Sequence, residues 1–213
     1  MSIVVRTLSD QTYEIVRRQI LSGELAPGMP VRQDSIASDL GISKIPLREA
    51  LGRLEQDGLL SSYPNRGYVV SAMSAEEMGE IFSLRLKLEP AAAAEACRQA
   101  DADDHRRSLQ ELEALEAEQE RGGANDSTFN RSFHMSLIKP GGPITYQLIG
   151  RLHVLSERYV RMHLEPLGRE ARARKEHRDV LAAWVKGEAA RVENLLATHI
   201  ESTLSDLRQQ LTA

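Results

Sequence analysis

Residues 35–60 read SIASDLGISKIPLREALGRLEQDGLL, and this stretch decides the fold of the first third of the chain. A short helix is predicted to stop at Gly41. Ser43 can cap the next helix, which tolerates Pro46 because the first-turn N–H groups have no intrahelical partner. The apolar face of that next helix consists of three leucines: Leu47, Leu51 and Leu54. Two short helices joined by the tight turn at 40–43 predict a helix-turn-helix.

The segments on either side of this stretch extend the pattern. Apolar side chains at helical spacing predict a preceding helix over about 9–22, followed by a turn segment with two prolines. After the helix-turn-helix come two β-like runs, 59–63 and 68–71, separated by the four-residue tip 64–67. Three helices followed by a hairpin predict a winged helix-turn-helix.

The pattern changes near residue 73, and everything after it reads as helix and short connections. We therefore predict two domains, 1–73 and 74–213, the second an all-α antiparallel helical bundle. Ser74 opens a capping box for a helix to about residue 100, which Pro90 is expected to kink or divide near Glu89. The later helices are predicted at about 103–121, 127–138, 143–163, 168–186 and 188–211.

The composition limits the classes of protein to which the chain can belong. The chain has 213 residues, 41% apolar and 27% charged, which is ordinary for a soluble globular protein. No apolar run approaches a membrane span, no signal peptide is visible, and the single cysteine, Cys97, predicts packing in a reducing cytoplasm. Net charge is −4, with 8 basic and 8 acidic side chains in residues 1–73, so charge alone does not indicate DNA binding.

The second helix of the helix-turn-helix carries the side chains suited to reading DNA. Lys44 and Arg48 are four residues apart and share a face distinct from the leucine stripe. The hairpin tip offers Arg66 and Gly67 for the DNA backbone or minor groove. Helix-turn-helix units also occur as plain scaffold, and Arg48 next to Glu49 can form a surface ion pair, so the pattern alone leaves both interpretations open.

Residues 25–71 resemble the winged-helix signature of GntR-family regulators. The family commonly has Arg-Thr where this chain has Lys44 and Ile45; Lys44 keeps the charge without the planar fork, and Ile45 offers a hydrocarbon that can contact a thymine methyl. The resemblance implies binding to double-stranded operator DNA with a changed operator sequence. Its implied base and backbone contacts are Lys44, Arg48, Arg66 and Gly67, and its implied phosphate clamps are Arg32 and Arg53.

Three histidines in the second domain fall on the apolar faces of separate predicted helices. His134, His177 and His199 would all be buried in the same bundle interior, where each imidazole needs a polar partner. One metal ion satisfies all three, and imidazole suits Zn, Ni, Cu or Fe. The alternative is three core histidines, each satisfied by its own hydrogen bond.

The segments around these histidines, together with residues 85–89, resemble the FCD domain of the FadR branch of the GntR family. The resemblance covers residues 74 to about 207 and implies a divalent metal, Zn or Ni, held by Asp, His, His and His. The Asp position is Asn130 here, so the implied ligands are Asn130, His134, His177 and His199, without a protein anion. Asp126, one turn earlier, is expected to be too distant to replace it.

An effector with a carboxylate needs cations or hydroxyls that bind its oxygens. The Arg fork matches carboxylate geometry, although each such Arg can equally be a surface cation. The expected effector contacts are Arg85, Arg158, Tyr159 and Arg161. His105 is predicted to be exposed, and His153 and His163 to be structural or to border the cavity.

The resemblance to the FCD domain implies a homodimeric repressor or activator, expected in the cytoplasm, whose DNA affinity responds to a small organic acid, sugar acid or amino-acid-like metabolite. The first rival is a small metal-dependent hydrolase using a His-bound water. No HExxH or comparable motif supplies a general base, and an enzyme has no need of a helix-turn-helix. The second rival is a regulator whose histidines are purely structural.

Overall fold

The computed structural model describes residues 6–121, 127–164 and 169–212, without the side chains of 162–164 and 211–212. The chain divides into two compact units, Met1–Met73 and Ser74–Ala213. Asp126 and the side chain of His163, both considered above, lie outside the described residues. No helix in these described ranges is long and apolar enough to cross a membrane.

The first unit is a winged helix-turn-helix, as predicted. Its elements in chain order are α1 (Leu8–Ser22), α2 (Gln33–Leu40), α3 (Lys44–Gln56), β1 (Leu60–Tyr63) and β2 (Gly67–Val70). A capping box formed by Thr7 and Asp10 opens α1, because each side chain accepts a hydrogen bond from the other residue's backbone N–H. Between α2 and α3 the backbone turns through Gly41 at φ 63°, a left-handed conformation that glycine adopts without a Cβ clash.

The hairpin is antiparallel and pairs Leu60 with Val70 and Tyr63 with Gly67. Its base is extended by the segment before α2, where Pro30 bridges Val69. The leucine stripe of α3 is fully buried against α1 and the hairpin. Burying each such apolar side chain stabilises the folded unit by on the order of 1.5–3 kcal/mol. The opposite face of α3 stays exposed.

The second unit is entirely helical within the described residues, and the predicted fold class is confirmed. Its helices are α4 (Ala75–Gln99), α5 (Ala102–Glu120), α6 (Ser127–Ile138), α7 (Pro143–Leu164), α8 (Arg169–Val185) and α9 (Ala189–Thr212). Helix α4 packs along α9 and α7, and α6 packs between α5 and α7. The Trp184 indole is fully buried and donates to the carbonyl of Leu137 over 3.1 Å, which ties α8 to α6.

Two details of this unit bear on the sequence-based expectations. Of the two effects expected of Pro90, a kink or a division, the division is wrong, because α4 runs from Ala75 to Gln99 as one helix. Proline deprives the carbonyl of Leu86 of its helical partner, but the buried contacts of α4 on both sides of Pro90 keep the helix continuous. His105 is half-buried rather than exposed, because its ring lies edge-on to Trp184 with centroids 5.4 Å apart.

Candidate DNA-binding helix and metal centre

The start of α3 presents a polar and apolar surface to solvent. Lys44 and Arg48 are exposed, and Ile45 is 71% exposed even though it is a large apolar residue. The leucines on the other side of α3 anchor the helix in the core. The first turn of α3 is therefore available for contact with another molecule, in the geometry by which a recognition helix enters the major groove.

The cations of this helix-turn-helix have different partners. Lys44 Nζ lies 2.6 Å from Asp34 Oδ1 in an exposed ion pair. This pair lowers the pKa of Asp34, through the hydrogen bond and the charge of Lys44. Such exposed pairs contribute about 0–1 kcal/mol, so a phosphate can displace Asp34 at little cost.

The weaker predicted phosphate contacts and the hairpin tip lie elsewhere on the unit. Arg53 bonds Asp10 at 2.6 Å and stacks over the Tyr13 ring, so it joins α3 to α1. Arg32 is exposed at the start of α2, and Arg66 is exposed at the hairpin tip. Gly67 has φ 70°, so the backbone there requires glycine-like freedom.

Three imidazoles converge inside the second unit. His134 on α6, His177 on α8 and His199 on α9 are all buried. The Nε2 of His177 lies 3.3 Å from the Nε2 of His134 and 3.3 Å from the Nε2 of His199, and all three donor atoms fall within 4.8 Å of one another. We call these residues the histidine triad.

This spacing fits a tetrahedral metal ion. With Zn–N bonds of about 2.0–2.1 Å, two ligand nitrogens on a tetrahedron lie about 3.3–3.4 Å apart. The outward-facing Nδ1 atoms of two triad members meet carboxylates: His134 Nδ1 lies 2.7 Å from Glu89 Oε1, and His199 Nδ1 lies 2.7 Å from Glu176 Oε2. This is the carboxylate–histidine arrangement that orients metal ligands in proteins. The triad therefore fits a divalent ion.

Two histidines of the triad, His134 and His177, are held in the neutral form that metal binding requires. Burial lowers the pKa of His134 to about 3, although Glu89 opposes this shift. Burial, and then the neighbouring His199 and His134, hold the pKa of His177 well below its usual value. Metal binding therefore does not have to displace a proton from a charged imidazolium at these two positions near neutral pH.

A small cavity of about 20 Å³ adjoins the triad. It is lined by Phe82, Arg85, Asn130, Val160, Ala173, His199, Ile200 and Thr203. The volume accommodates about one water molecule or one ligand oxygen. Asn130 is buried one turn before His134 on α6 and lines this cavity together with His199.

Beside the triad lies a buried polar cluster centred on Glu89. Its carboxylate accepts from Arg85 Nε over 3.0 Å and lies 3.1 Å from His153 Nε2, in addition to its contact with His134. Arg85, which also lines the cavity, donates to Ser156 Oγ over 3.2 Å. Desolvation by burial acts to raise the pKa of Glu89, but the Arg85 guanidinium and the hydrogen bond from His134 outweigh it and keep that pKa well below its usual value.

The other predicted effector contacts lie apart from the cavity lining. Tyr159 is fully buried, and its hydroxyl bonds Glu77 and the backbone of Ser74, at the start of α4. Arg158 lies 3.3 Å from the same Glu77 carboxylate. Burial, followed by the Glu77 hydrogen bond, raises the pKa of Tyr159 to about 12. Arg161 is half-buried on the next turn of α7.

Two members of this site, Glu89 and Glu176, were not predicted from the sequence, whereas His153 was predicted to be structural or to border the cavity. A signal for Glu89 was present, because Phe82, Arg85 and Glu89 share one helical face, and two charges on an apolar face need each other. Glu176 precedes His177 in sequence but bonds His199 of α9. No local pattern contains that pairing, because it depends on how α8 packs against α9.

A winged helix-turn-helix followed by a helical domain with a buried polar centre defines a DNA-binding regulator of the helix-turn-helix type. The family model of gntR-type bacterial regulatory proteins matches residues 8–70, and that of the FCD domain matches residues 80–202. The chain belongs to the GntR family, with an FCD domain as its second part, so both resemblances found in the sequence are confirmed.

Individual relatives agree with this assignment. The chain is 30% identical over 219 residues to the HTH-type transcriptional regulator BphR of Paraburkholderia xenovorans, covering 96% of this chain and 87% of that protein. It is 24% identical over 204 residues to the HTH-type transcriptional repressor RspR of Escherichia coli, covering 95% and 90%. Among solved structures, E. coli McbR/YncC has a TM-score of 0.81 at 26% identity, covering 97% of this chain and 99% of that one.

The class of protein follows from these matches. The family model of the first unit describes bacterial regulatory proteins, and both relatives carry the names of transcriptional regulators. The chain is therefore a regulator and not an enzyme, as the sequence predicted, and the hydrolase interpretation is set aside.

Proposed function

We propose that this chain is a homodimeric, cytoplasmic transcriptional regulator whose operator affinity is controlled by a small carboxylate bound beside a divalent metal in the second unit. The observation that carries the proposal is the convergence of three Nε2 atoms next to a cavity lined by Arg85. The ion would be held by His134, His177 and His199, with Asn130 beside them, and would supply positive charge and an open coordination position for a ligand oxygen.

The charge around the triad supports an anionic effector. The three imidazoles and the Asn130 amide bring no negative charge, so the ligands themselves do not neutralise an ion held there. Arg85 adds a guanidinium to the same cavity wall; its Nε donates to Glu89 and its Nη1 to Ser156, so an effector carboxylate would share these donors with them. Small organic or sugar acids are therefore the expected class of effector.

The size of the cavity supports coupling between effector binding and conformation. About 20 Å³ admits one ligand oxygen but not an entire organic acid. The walls come from α4, α6, α7, α8 and α9, so a larger ligand must move some of these helices relative to one another. Differential affinity of the ligand for the two arrangements is what allows it to shift the equilibrium.

Arg48 of the first unit is expected to read DNA. Substitution Arg48→Ala should weaken binding to an operator selected from random duplexes by about 1–3 kcal/mol, because an exposed Arg on the first turns of a recognition helix can donate to a guanine edge. The measurement is fluorescence anisotropy at a fixed salt concentration, on specific and scrambled duplexes.

The matched control is Arg18→Ala, which removes the same charge from an exposed position on α1. It should leave specific binding within about twofold. Equal losses for both variants would assign Arg48 a general electrostatic role, and an unchanged affinity for Arg48→Ala would remove it from the interface.

The proposed dimer is expected to cover exposed apolar side chains of α4 and α7. Leu84 and Leu88 form an i, i+4 pair on α4, and Ile144 and Leu148 form another on α7, with exposures from 36 to 81%. A second copy of the chain fits, because operator recognition by this motif uses two recognition helices on two half-sites. Substitution Leu148→Glu should convert the dimer to a monomer in light scattering, by placing a charge in an apolar contact.

The control for this variant is Leu109→Glu, at a leucine of α5 that is similarly exposed, 47% against 53% for Leu148. It should leave the dimer intact. Dissociation by Leu109→Glu and not by Leu148→Glu would move the interface to the face of the bundle that carries Leu109.

A further inference from the structure

Two members of the histidine triad have carboxylate partners behind them, and the third does not. Glu89 meets Nδ1 of His134, and Glu176 meets Nδ1 of His199, each over 2.7 Å. The buried Nδ1 of His177 has no hydrogen-bond partner among the described residues. The three imidazoles are therefore oriented by different means.

An ionised carboxylate only accepts hydrogen bonds, so it selects the tautomer of the ring that faces it. With the proton on Nδ1, His134 and His199 each keep a lone pair on Nε2, directed into the triad. His177 Nε2, at 3.3 Å from both, can then place its own proton between those two lone pairs when no ion is bound. Two of the three ligands are thus prepared for a metal ion by their carboxylates.

The same carboxylates bear on the charge of the site. Asn130 contributes no negative charge to the site. Glu89 and Glu176 each place a negative charge on the far side of an imidazole ring from the centre of the triad. The charge of Glu89 is matched by the Arg85 guanidinium at 3.0 Å. The charge of Glu176 is less fully matched, because Arg172 lies 3.6 Å from it and also bonds Asp206.

We infer that Glu176 and Glu89 are positioning residues of the metal site, which fix the tautomers of His199 and His134 and supply the negative charge that Asn130 does not. Electron density drawn from the carboxylate through the Nδ1–H bond makes Nε2 a more basic ligand. Glu176 supplies more of this negative charge than Glu89 does, because the Arg85 guanidinium neutralises Glu89. The inference rests on the proposed metal site and assigns it two residues outside the ligand set.

Of the two glutamates, Glu176 is the better one to substitute in a test of this inference. Glu89 is fully buried, and its removal would strand the Arg85 charge in the interior, a change that unfolds proteins for reasons unrelated to metal. Glu176 is 24% exposed, and glutamine is close to it in size, so Glu176→Gln is expected to fold. Its matched control is Glu170→Gln on the same helix, where the carboxylate is 31% exposed and pairs with Arg174 instead of a histidine.

The experiment measures Zn²⁺ affinity of the full chain by competition with a chromophoric chelator. Glu176→Gln is expected to bind Zn²⁺ about 10-fold or more weakly than the unsubstituted protein, in the range known for outer-shell partners. Glu170→Gln is expected to bind within about twofold. Adding Asn130→Asp to Glu176→Gln should recover the affinity, because it returns a negative charge to the cavity.

A second readout needs no metal. Long-range ¹H–¹⁵N correlation spectra of the chelator-treated protein should show the His199 ring with its proton on Nδ1. In Glu176→Gln the amide can accept from or donate to the ring, so both tautomers of His199 should appear. A carboxylate that only stabilised the fold would leave this tautomer signature unchanged.

The outcomes separate the inference from the function on which it rests. Failure of the unsubstituted protein to bind Zn²⁺ would overturn the metal site and the inference together. Binding by the unsubstituted protein, with Glu176→Gln equal to Glu170→Gln and an unmixed His199 tautomer, would overturn the inference alone. If adding Asn130→Asp to Glu176→Gln did not recover the Zn²⁺ affinity, the inference that Glu176 supplies negative charge to the metal site would be overturned.

Discussion

His177→Ala is expected to abolish high-affinity Zn²⁺ binding, with a loss of more than about 100-fold, since the loss of an outer-shell partner alone typically amounts to about 10–100-fold. His177 is the triad member whose Nε2 lies 3.3 Å from both other Nε2 atoms, so its removal leaves two ligands that do not close a coordination shell. Chelator competition measures the affinity directly. Zn²⁺ should also raise the unfolding temperature of the unsubstituted protein and not of the variant, because an ion bound only to the folded state stabilises it.

The control for this experiment is His105→Ala. It also removes one imidazole from the second unit, but from α5, where the ring contacts Trp184 instead of the triad. This variant should keep its Zn²⁺ affinity while losing some stability. Retained Zn²⁺ affinity in His177→Ala would favour purely structural histidines, with adventitious binding elsewhere on the chain.

Much of this fold follows from local patterns. The winged helix-turn-helix is predicted by the leucine spacing of α3, the glycine in the turn before it and the hairpin after it. Each of these elements can be recognised from its own residues alone. Helical periodicity likewise places His134, His177 and His199 on inner faces. Convergence of three inner faces in one bundle follows from the need to bury all of them.

What the sequence could not predict depends on which helix faces which. Glu176 and His199 are 23 residues apart and meet only because α8 packs on α9. Tyr159 and Arg158 bond Glu77, a partner that the sequence did not indicate, because α7 runs beside the start of α4; their role as effector contacts stays a prediction. Hydrogen-bonding capacity is visible in a sequence, but the choice of partner is a property of tertiary packing.

The continuity of α4 through Pro90 has the same origin. Proline inside a helix removes one hydrogen bond and disfavours the conformation of the residue before it, which predicts a kink or a division near Glu89. Glu89 is held instead by Arg85, His134 and His153 within a buried cluster. Tertiary contacts of this kind override the local preference and keep a 25-residue helix intact.

Acidification of the metal-free protein from pH 7.5 to 5.5 should reduce its free energy of unfolding by a few kcal/mol. Burial lowers the pKa values of His134, His153 and His177 in the folded state, whereas in the unfolded chain they titrate near 6.5. Below that pH the unfolded state binds more protons, so stability is present above pH 6.5 and falls as the pH decreases. Each such histidine contributes up to about 1.4 kcal/mol over this interval.

Urea unfolding at several pH values, in the presence of a chelator, measures this dependence. The interval from pH 7.5 to 5.5 lies above the range in which carboxylates titrate in unfolded chains, so the histidines dominate the slope. His177→Asn, which cannot gain a proton, should show a shallower slope, by about half a proton on average over this interval and close to one proton at its acid end, because the slope of unfolding free energy against pH counts the protons taken up on unfolding. A slope equal to that of the unsubstituted protein would mean that His177 is already charged in the fold, and a charged imidazolium at the centre of the triad would exclude a cation from it.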